Sequence, residues 1–293
     1  MSQHETKTHQ RKIGAHVSAA GGLDKAIERA KAIGANCVQV FSGSPRVWAR
    51  APLEKIDKVK VFSKQKELAI DPIFTHAIYL TNLASDNPNL LQKSIEALQY
   101  DLKFDSLVKG SGVVVHLGSH QGRGWEASKE QVAAAITSIL EGSPDDSHLL
   151  IENAAGQQGK LNSDLSEIRW LLDAVKSPRL KWCLDTCHAF AAGLSLGKQH
   201  PDGGLTLWEA IEKHDLLSSL QVIHVNDSRD PFASGRDRHA NIGDGEIPPA
   251  DLQHFLTKSE LMNKPLVLEV PGLDDGGPDA ANITRLKELI GED

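Results

Sequence analysis

Cysteine, basic charge and long apolar runs are all scarce in this chain, and each shortage removes a class of protein. The three cysteines, Cys37, Cys183 and Cys187, among 293 residues are too few for a disulfide framework and fit a reducing compartment. No apolar run approaches the ~18 residues of a membrane span, and the first dozen residues are polar, without an apolar signal core. A cytoplasmic protein with no membrane partner is the expectation, and the sequons at 226–228 and 282–284 then carry no meaning. No Walker A loop, Rossmann glycine fingerprint, HExxH helix or nucleophile elbow occurs, which excludes the commonest nucleotide, metalloprotease and serine-hydrolase chemistries. Lys and Arg number 32 against 39 Asp and Glu, a net charge of −7. The surface as a whole is therefore no magnet for nucleic acid, and a polyanionic partner needs a local basic patch or bound metal.

What is present is a globular composition, 40% hydrophobic and 24% charged, enough to bury a sizeable core. Short β-branched or alternating runs recur, each followed by a segment of helical period. Strands are expected over 13–18, 37–41, 72–79, 112–117, 149–153, 180–185, 220–226 and 265–270. The helices expected between and after them cover 22–33, 52–68, 88–108, 129–140, 164–175, 206–214, 249–261 and 280–290. Such alternation implies a parallel sheet covered by helices. Eight units in a chain of this length favour an α/β fold of the (β/α)8 TIM-barrel type. A single barrel domain over 12–293 is expected, preceded by a disordered N-terminal tail over 1–11.

The 13 histidines stand out, because His is the commonest metal ligand and the usual acid/base at neutral pH. In a barrel the reacting groups stand at the C-terminal ends of the strands. Six consecutive expected strands present a candidate there: His76, His116, Glu152, Asp185 with His188 just beyond, His224 and Glu269. The long loop after strand seven adds Asp237 and His239. Taken singly, each has a bland reading: His116 or His224 as a hydrogen-bonded core residue, Glu152 or Glu269 paired with an arginine, Asp185 as a cap. Jointly, four carboxylates and five histidines at one barrel mouth call for cations. Nine candidates exceed the four of one tetrahedral zinc site. The imidazole-rich mixture points to two or three ions, zinc or, at some positions, manganese or iron, rather than an all-oxygen site. Such a cluster generates hydroxide near neutral pH and clamps the oxygens of an in-line displacement, so phosphoester hydrolysis is the reaction class it best supports.

Cys183 and Cys187 are separated by three residues where haem attachment needs two, and are read as buried packing. Arg46, Arg50, Arg123, Arg229, Arg236 and Arg238 fall in expected strand–helix loops. Solvated charge suffices to explain Arg50 and Arg123, whereas Arg238, between Asp237 and His239, is placed to meet a phosphate. Phe41 reads as core. Trp48 and Tyr79, in loops, are candidates to stack on or wedge between bases.

The run IGAHVSAAGG at 13–22, CLDTCHAFAAG at 183–193, and HVNDS at 224–228 followed by Asp237-Arg238-His239 resemble endonuclease IV, the zinc-dependent apurinic/apyrimidinic endonuclease family of base-excision repair. The likeness extends over nearly the full chain and implies an (α/β)8 barrel. It further implies about three zinc ions: one held by His76, His116 and Glu152, a second by Glu152 as bridge with Asp185, His224 and Glu269, and a third by His188, Asp237 and His239. Glu152 is accordingly the catalytic candidate. Arg46, Tyr79 and Leu80 match the side chains that enter the kinked duplex, and Arg236 and Arg238 are further DNA-binding candidates. Lys181, Arg229 and Ala233 stand where the family pattern usually has Gly, Lys and Gly. The activity implied is cleavage 5′ to abasic sites in double-stranded DNA, with 3′-end cleaning, by a monomer. Two alternatives remain open at the level of sequence: a sugar isomerase or epimerase of the xylose-isomerase type, and a metal-stabilised DNA-damage binding protein without turnover.

Overall fold

The computed structural model describes residues 10–157 and 159–292. The elements run β1 (Ile13–His16), α1 (Leu23–Ala32), β2 (Cys37–Phe41), α2 (Lys58–Leu68), β3 (Ile73–His76), α3 (Pro88–Leu107), β4 (Val113–Val115), α4 (Lys129–Glu141), β5 (Leu149–Glu152) and α5 (Leu165–Val175). They continue with β6 (Leu180–Asp185), α6 (Thr186–Ala191), α7 (Leu207–Lys213), β7 (Leu220–His224), β8 (Asp227–Ser228), β9 (His239–Ala240), α8 (Pro249–Leu256), β10 (Leu266–Leu268) and α9 (Ala280–Ile290). Strands β1 to β7 and β10 close into one all-parallel barrel, in which β10 pairs with both β7 and β1.

Local chemistry sets many of the boundaries. Asp57, Asn87, Asp164 and Asp279 each cap the first turn of the helix that follows, and Thr206 with Glu209 forms a reciprocal capping box on α7. The expected helix over 52–68 is divided for this reason: a short 3-10 turn ends at Lys55, and Asp57 restarts the chain as α2. Likewise α8 stops at Leu256 and a separate 3-10 turn follows at Ser259–Leu261.

Two elements escape the sequence pattern. Helix α6 is buried at every position, so no amphipathic period marks it. The antiparallel ribbon β8–β9 is two residues per strand. Most of the expected N-terminal tail, residues 1–9, lies outside the described residues. Its last residue belongs to the folded body instead: Arg11 is buried and donates to the carbonyls of Leu256 (2.7 Å) and Leu261 (3.0 Å). A guanidinium there satisfies carbonyls that the end of α8 and the turn after it would leave orphaned.

Inside the barrel, side chains stack in rings. Cys37, Phe74, Val114, Leu150, Cys183, Val222 and Val267, one from each of seven strands, form a dry apolar layer. The eighth strand contributes Gly14, where any side chain would collide with the Cys37 carbonyl and thiol. Because inward positions recur every second residue, the next ring toward the C-terminal mouth is His16, Gln39, His76, His116, Glu152, Asp185, His224 and Glu269.

Candidate metal centre

All nine candidate ligands meet at this mouth. Glu152 is at the centre: Oε2 lies 3.4 Å from His76 Nε2 and 3.3 Å from His116 Nε2, and Oε1 lies 3.1 Å from His224 Nδ1 and 3.4 Å from His188 Nδ1. Glu269 Oε2 is 3.1 Å from the same His224 Nδ1. Asp237 Oδ1 lies 3.0 Å from His188 Nε2 and 3.3 Å from His239 Nε2. Ligand atoms within 4.8 Å of one another fall into sets: His76, His116 and Glu152; Glu152, Asp185, His224 and Glu269; and His188, Asp237 and His239. Cys187 joins Asp185 and His239 in a fourth, overlapping set.

The imidazoles are held from behind. Nδ1 of His76 faces the Ala77 carbonyl (2.8 Å), Nδ1 of His188 the Asn153 carbonyl (3.0 Å) and Nδ1 of His239 the Glu269 carbonyl (3.2 Å). A carbonyl only accepts, so each Nδ1 carries the proton and each Nε2 is turned into the site, the arrangement typical of metal-binding histidines. Asp185 has two duties. Its Oδ1 caps α6 by accepting from the His188 amide (2.8 Å), while Oδ2 accepts from Asn226 Nδ2 (2.6 Å). Capping and membership of the site therefore coexist in one carboxylate.

Two asparagines missed by sequence reasoning lock these strands together. Asn153 exchanges hydrogen bonds with the backbone of Asp185, and Asn226 Oδ1 accepts from the Glu269 amide (2.9 Å). Their signal was position at a strand end, Asn153 directly after Glu152 and Asn226 two residues after His224.

Electrostatics and orphaned atoms test whether a cation fits. Burial pushes the Glu152 carboxyl up, yet His116, His224 and His188 hold it well below the ordinary range. Burial likewise opposes ionisation of Asp237, but His188 and His239 hold its carboxyl down, and its partners raise His239 to about 9. Against burial, the carboxylates raise His76, His188, His224 and His239, while burial lowers His116; cations bound there would displace protons from the raised imidazoles. Buried Glu152 Oε2, His188 Nε2 and His239 Nε2 have close ion-pair neighbours at 3.0–3.4 Å but no directed hydrogen bond. Those three atoms belong to the ligand sets, and together with the N/O donor mixture they fit divalent metal ions.

Over the ring opens a cleft of about 790 Å³ lined by His16, Phe41, Arg46, Tyr79, Asp275 and several of the ligands. Arg46 and Tyr79 are exposed on this cleft; Leu80, half-buried, is not part of its lining. Phe41, expected in the core, is a mouth residue whose ring packs against His16 (4.3 Å), Tyr79 (5.2 Å) and His76 (5.4 Å). It is the last residue of β2, and its inward position falls above the ring. Arg236 and Arg238 lie off the cleft, both tied to buried Asp230; Arg238 grips it with two bonds, Nε to Oδ2 (2.6 Å) and Nη2 to Oδ1. Arg50 and Arg123 are structural rather than solvated. Arg50 pairs with buried Asp101 (3.3 Å), and Arg123 donates to Gln131 and the Ala84 carbonyl. All three cysteines are free and buried.

A barrel of this kind with its polar centre at the C-terminal mouth is recognisable as a class. A family model described as a xylose isomerase-like TIM barrel matches residues 27–289. D-tagatose 3-epimerase-like protein superposes with a TM-score of 0.70 at 18% identity, over 96% of this chain and 97% of that one, a likeness of fold alone. A probable endonuclease 4 of Halothermothrix orenii is 35% identical over 277 residues, 94% of this chain and 99% of the relative. The crystal structure of endonuclease IV from Thermus thermophilus superposes with a TM-score of 0.83 at 31% identity, covering 96% of this chain and 99% of that one. The chain belongs to the endonuclease IV family of hydrolytic enzymes.

Proposed function

We propose that this enzyme hydrolyses the DNA backbone 5′ to abasic sites, using about three zinc ions held by the nine mouth residues, and leaves a 3′-hydroxyl and a 5′-deoxyribose phosphate. The observation that carries this reading is the sorting of the nine ligands into three sets, two of which share Glu152. His76, His116 and Glu152 would hold one ion, Glu152, Asp185, His224 and Glu269 a second, and His188, Asp237 and His239 the third. Ions there would activate water near neutral pH and stabilise charge on the phosphate oxygens. The water oxygen bonds to phosphorus, the P–O3′ bond breaks, and the departing O3′ takes up a proton.

The chain's own residues supply the rest. Glu152, which belongs to two of the ligand sets, would hold two of the ions, and the dry apolar ring beneath strengthens every charge interaction above it. Arg46 and Tyr79, exposed on the cleft, with Leu80 beside them, would enter a kinked duplex and help extrude the abasic nucleotide. Arg236 and Arg238, oriented by Asp230, would meet phosphates outside the cleft. The same centre would remove blocking groups from 3′ ends, since those are phosphodiesters or phosphomonoesters on the same atom. Among the described residues no helix is long and apolar enough to cross a membrane, and we read the enzyme as a cytoplasmic monomer.

The test is incubation with an end-labelled duplex carrying one abasic site, alongside elemental analysis of protein purified without chelator. Incision 5′ to the lesion and two to three ions per chain are expected. An uncut duplex with a full metal complement would reduce the protein to a binding function, and one ion or none would sink the cluster.

A further inference from the structure

Six members of the eight-residue polar ring are candidate ligands; His16 and Gln39 are not. Gln39, on β2, is fully buried, yet both ends of its carboxamide are engaged by ligands from other strands. Its Nε2 donates to Glu269 Oε1 (2.6 Å), and its Oε1 lies 2.8 Å from His224 Nε2. His16 Nδ1 lies 3.0 Å from that same Glu269 oxygen. Chemistry fixes the orientation of the amide. An ionised carboxylate only accepts, so the NH2 end must face Glu269, and the oxygen end then requires a proton on His224 Nε2.

The consequence is an inversion. His76, His188 and His239 are held at Nδ1 and turn Nε2 inward, whereas His224 is held at Nε2 and turns Nδ1 toward Glu152 Oε1 and Glu269 Oε2, both at 3.1 Å. Occupation of Glu269 Oε1 by Gln39 and His16 likewise leaves Oε2 as the oxygen facing His224 Nδ1. We propose that Gln39, assisted by His16, is a positioning residue that selects which atoms of His224 and Glu269 face the cation between β7 and β10. The inference rests on the metal reading above and adds to it a residue that touches neither ion nor substrate.

Gln39→Met keeps the volume and removes the hydrogen bonds to Glu269 and His224 together with the 3.0 Å contact of Nε2 with His16 Nδ1. Gln39→Glu keeps an acceptor for His224 but sets a carboxylate where Glu269 had a donor. Zinc-loaded wild type and variants are dialysed against graded chelator, and retained zinc is measured together with melting of the chelated proteins. Outer-shell partners of this kind typically govern metal affinity by 10–100-fold. We therefore expect Gln39→Met to lose one ion at about tenfold lower chelator while the others stay, with metal-free melting close to that of wild type. In zinc-loaded protein labelled with 15N-histidine, His224 should be protonated at Nε2 while His76, His188 and His239 are protonated at Nδ1. Should Gln39→Met fail to fold, the same selective loss is expected of Gln39→Glu. Retention like wild type in the folded variants, or parallel loss of all ions with lowered metal-free melting, would overturn the positioning role. A wild type that retains no zinc at all would overturn the metal reading itself, and this proposal with it.

Discussion

Two rings of side chains, one layer apart on the same eight strands, line the barrel and do opposite work. The lower ring runs from Gly14 through Cys37 and Phe74 to Val267 and is sealed from solvent; burial pushes the Cys37 and Cys183 thiols up to about 12. The upper ring, two residues further along each strand, holds four histidines, three carboxylates and one carboxamide beneath an open cleft. A displacement of two residues, about 7 Å along a strand, separates packing from chemistry. The lesson is that the floor makes the upper ring effective: dry apolar atoms keep water from screening the charges stacked on them.

The comparison breaks most visibly at Glu152. Glu152→Gln preserves size and removes the charge proposed to hold two ions, so cleavage of abasic duplex should fall by roughly three orders of magnitude or more, ~4 kcal/mol in the barrier, with DNA binding largely kept. Single-turnover incision and binding titrations separate the two effects. Near-normal turnover would mean that Glu152 is no bridge.

A lower-ring change should do the reverse. Phe74 is fully buried, and Phe74→Ala should cost ~3–5 kcal/mol of stability through lost transfer energy and a residual cavity. Urea unfolding checks the loss, and metal content of the folded variant should be unchanged. Loss of metal from a still-folded Phe74→Ala would show that the two rings are not separable.

Above both rings, Arg46→Ala tests recognition apart from chemistry. Binding to abasic duplex should weaken by ~1–3 kcal/mol, with hydrolysis of a small phosphodiester close to normal. Titrations on abasic and intact duplexes at one salt concentration decide it, because a phosphate contact alone would weaken both equally.

A last effect, comparable to that at Arg46, concerns a carboxylate outside the barrel's interior. Asp105 on α3 is buried and accepts from Ser147 Oγ (3.0 Å) and Thr75 Oγ1 (3.3 Å), and burial raises its pKa to about 7. Native protein therefore binds more protons at this group than unfolded chain between pH ~4 and ~7, and stability falls as pH rises through that window, by up to ~1.4 kcal/mol per unit. Asp105→Asn should flatten this part of the stability profile, measured by denaturant unfolding at pH 5 and 7. An unchanged slope would place the titration elsewhere.

Much of the ring was legible because an ionisable residue at a strand's C-terminal end is conspicuous beside apolar neighbours. His16 and Gln39 occupy equivalent positions, but a lone glutamine does not titrate, and the first strand pairs with the last only when the barrel closes. Arg50 and Arg123 looked solvated because their partners, Asp101 on α3 and the Ala84 carbonyl with Gln131, are not their neighbours in any local pattern. Arg238 looked like a loose loop cation, whereas Asp230, eight residues earlier, holds its guanidinium in one orientation. Phe41 looked like core because its hydrophobicity says nothing of height within the barrel.

Sequence alone determined the strand–helix alternation, the count of eight, and the identity of the nine candidate ligands, since periodicity and side-chain chemistry are local properties. Closure of β10 on β1 decided the remainder. It brought His16 and Gln39 against Glu269 and His224 and so set which nitrogen His224 presents, while the closed barrel as a whole gathered the nine residues into overlapping sets. Those are facts of relative position across strands up to about 250 residues apart, and no local pattern encodes a distance between side chains that only barrel closure makes neighbours.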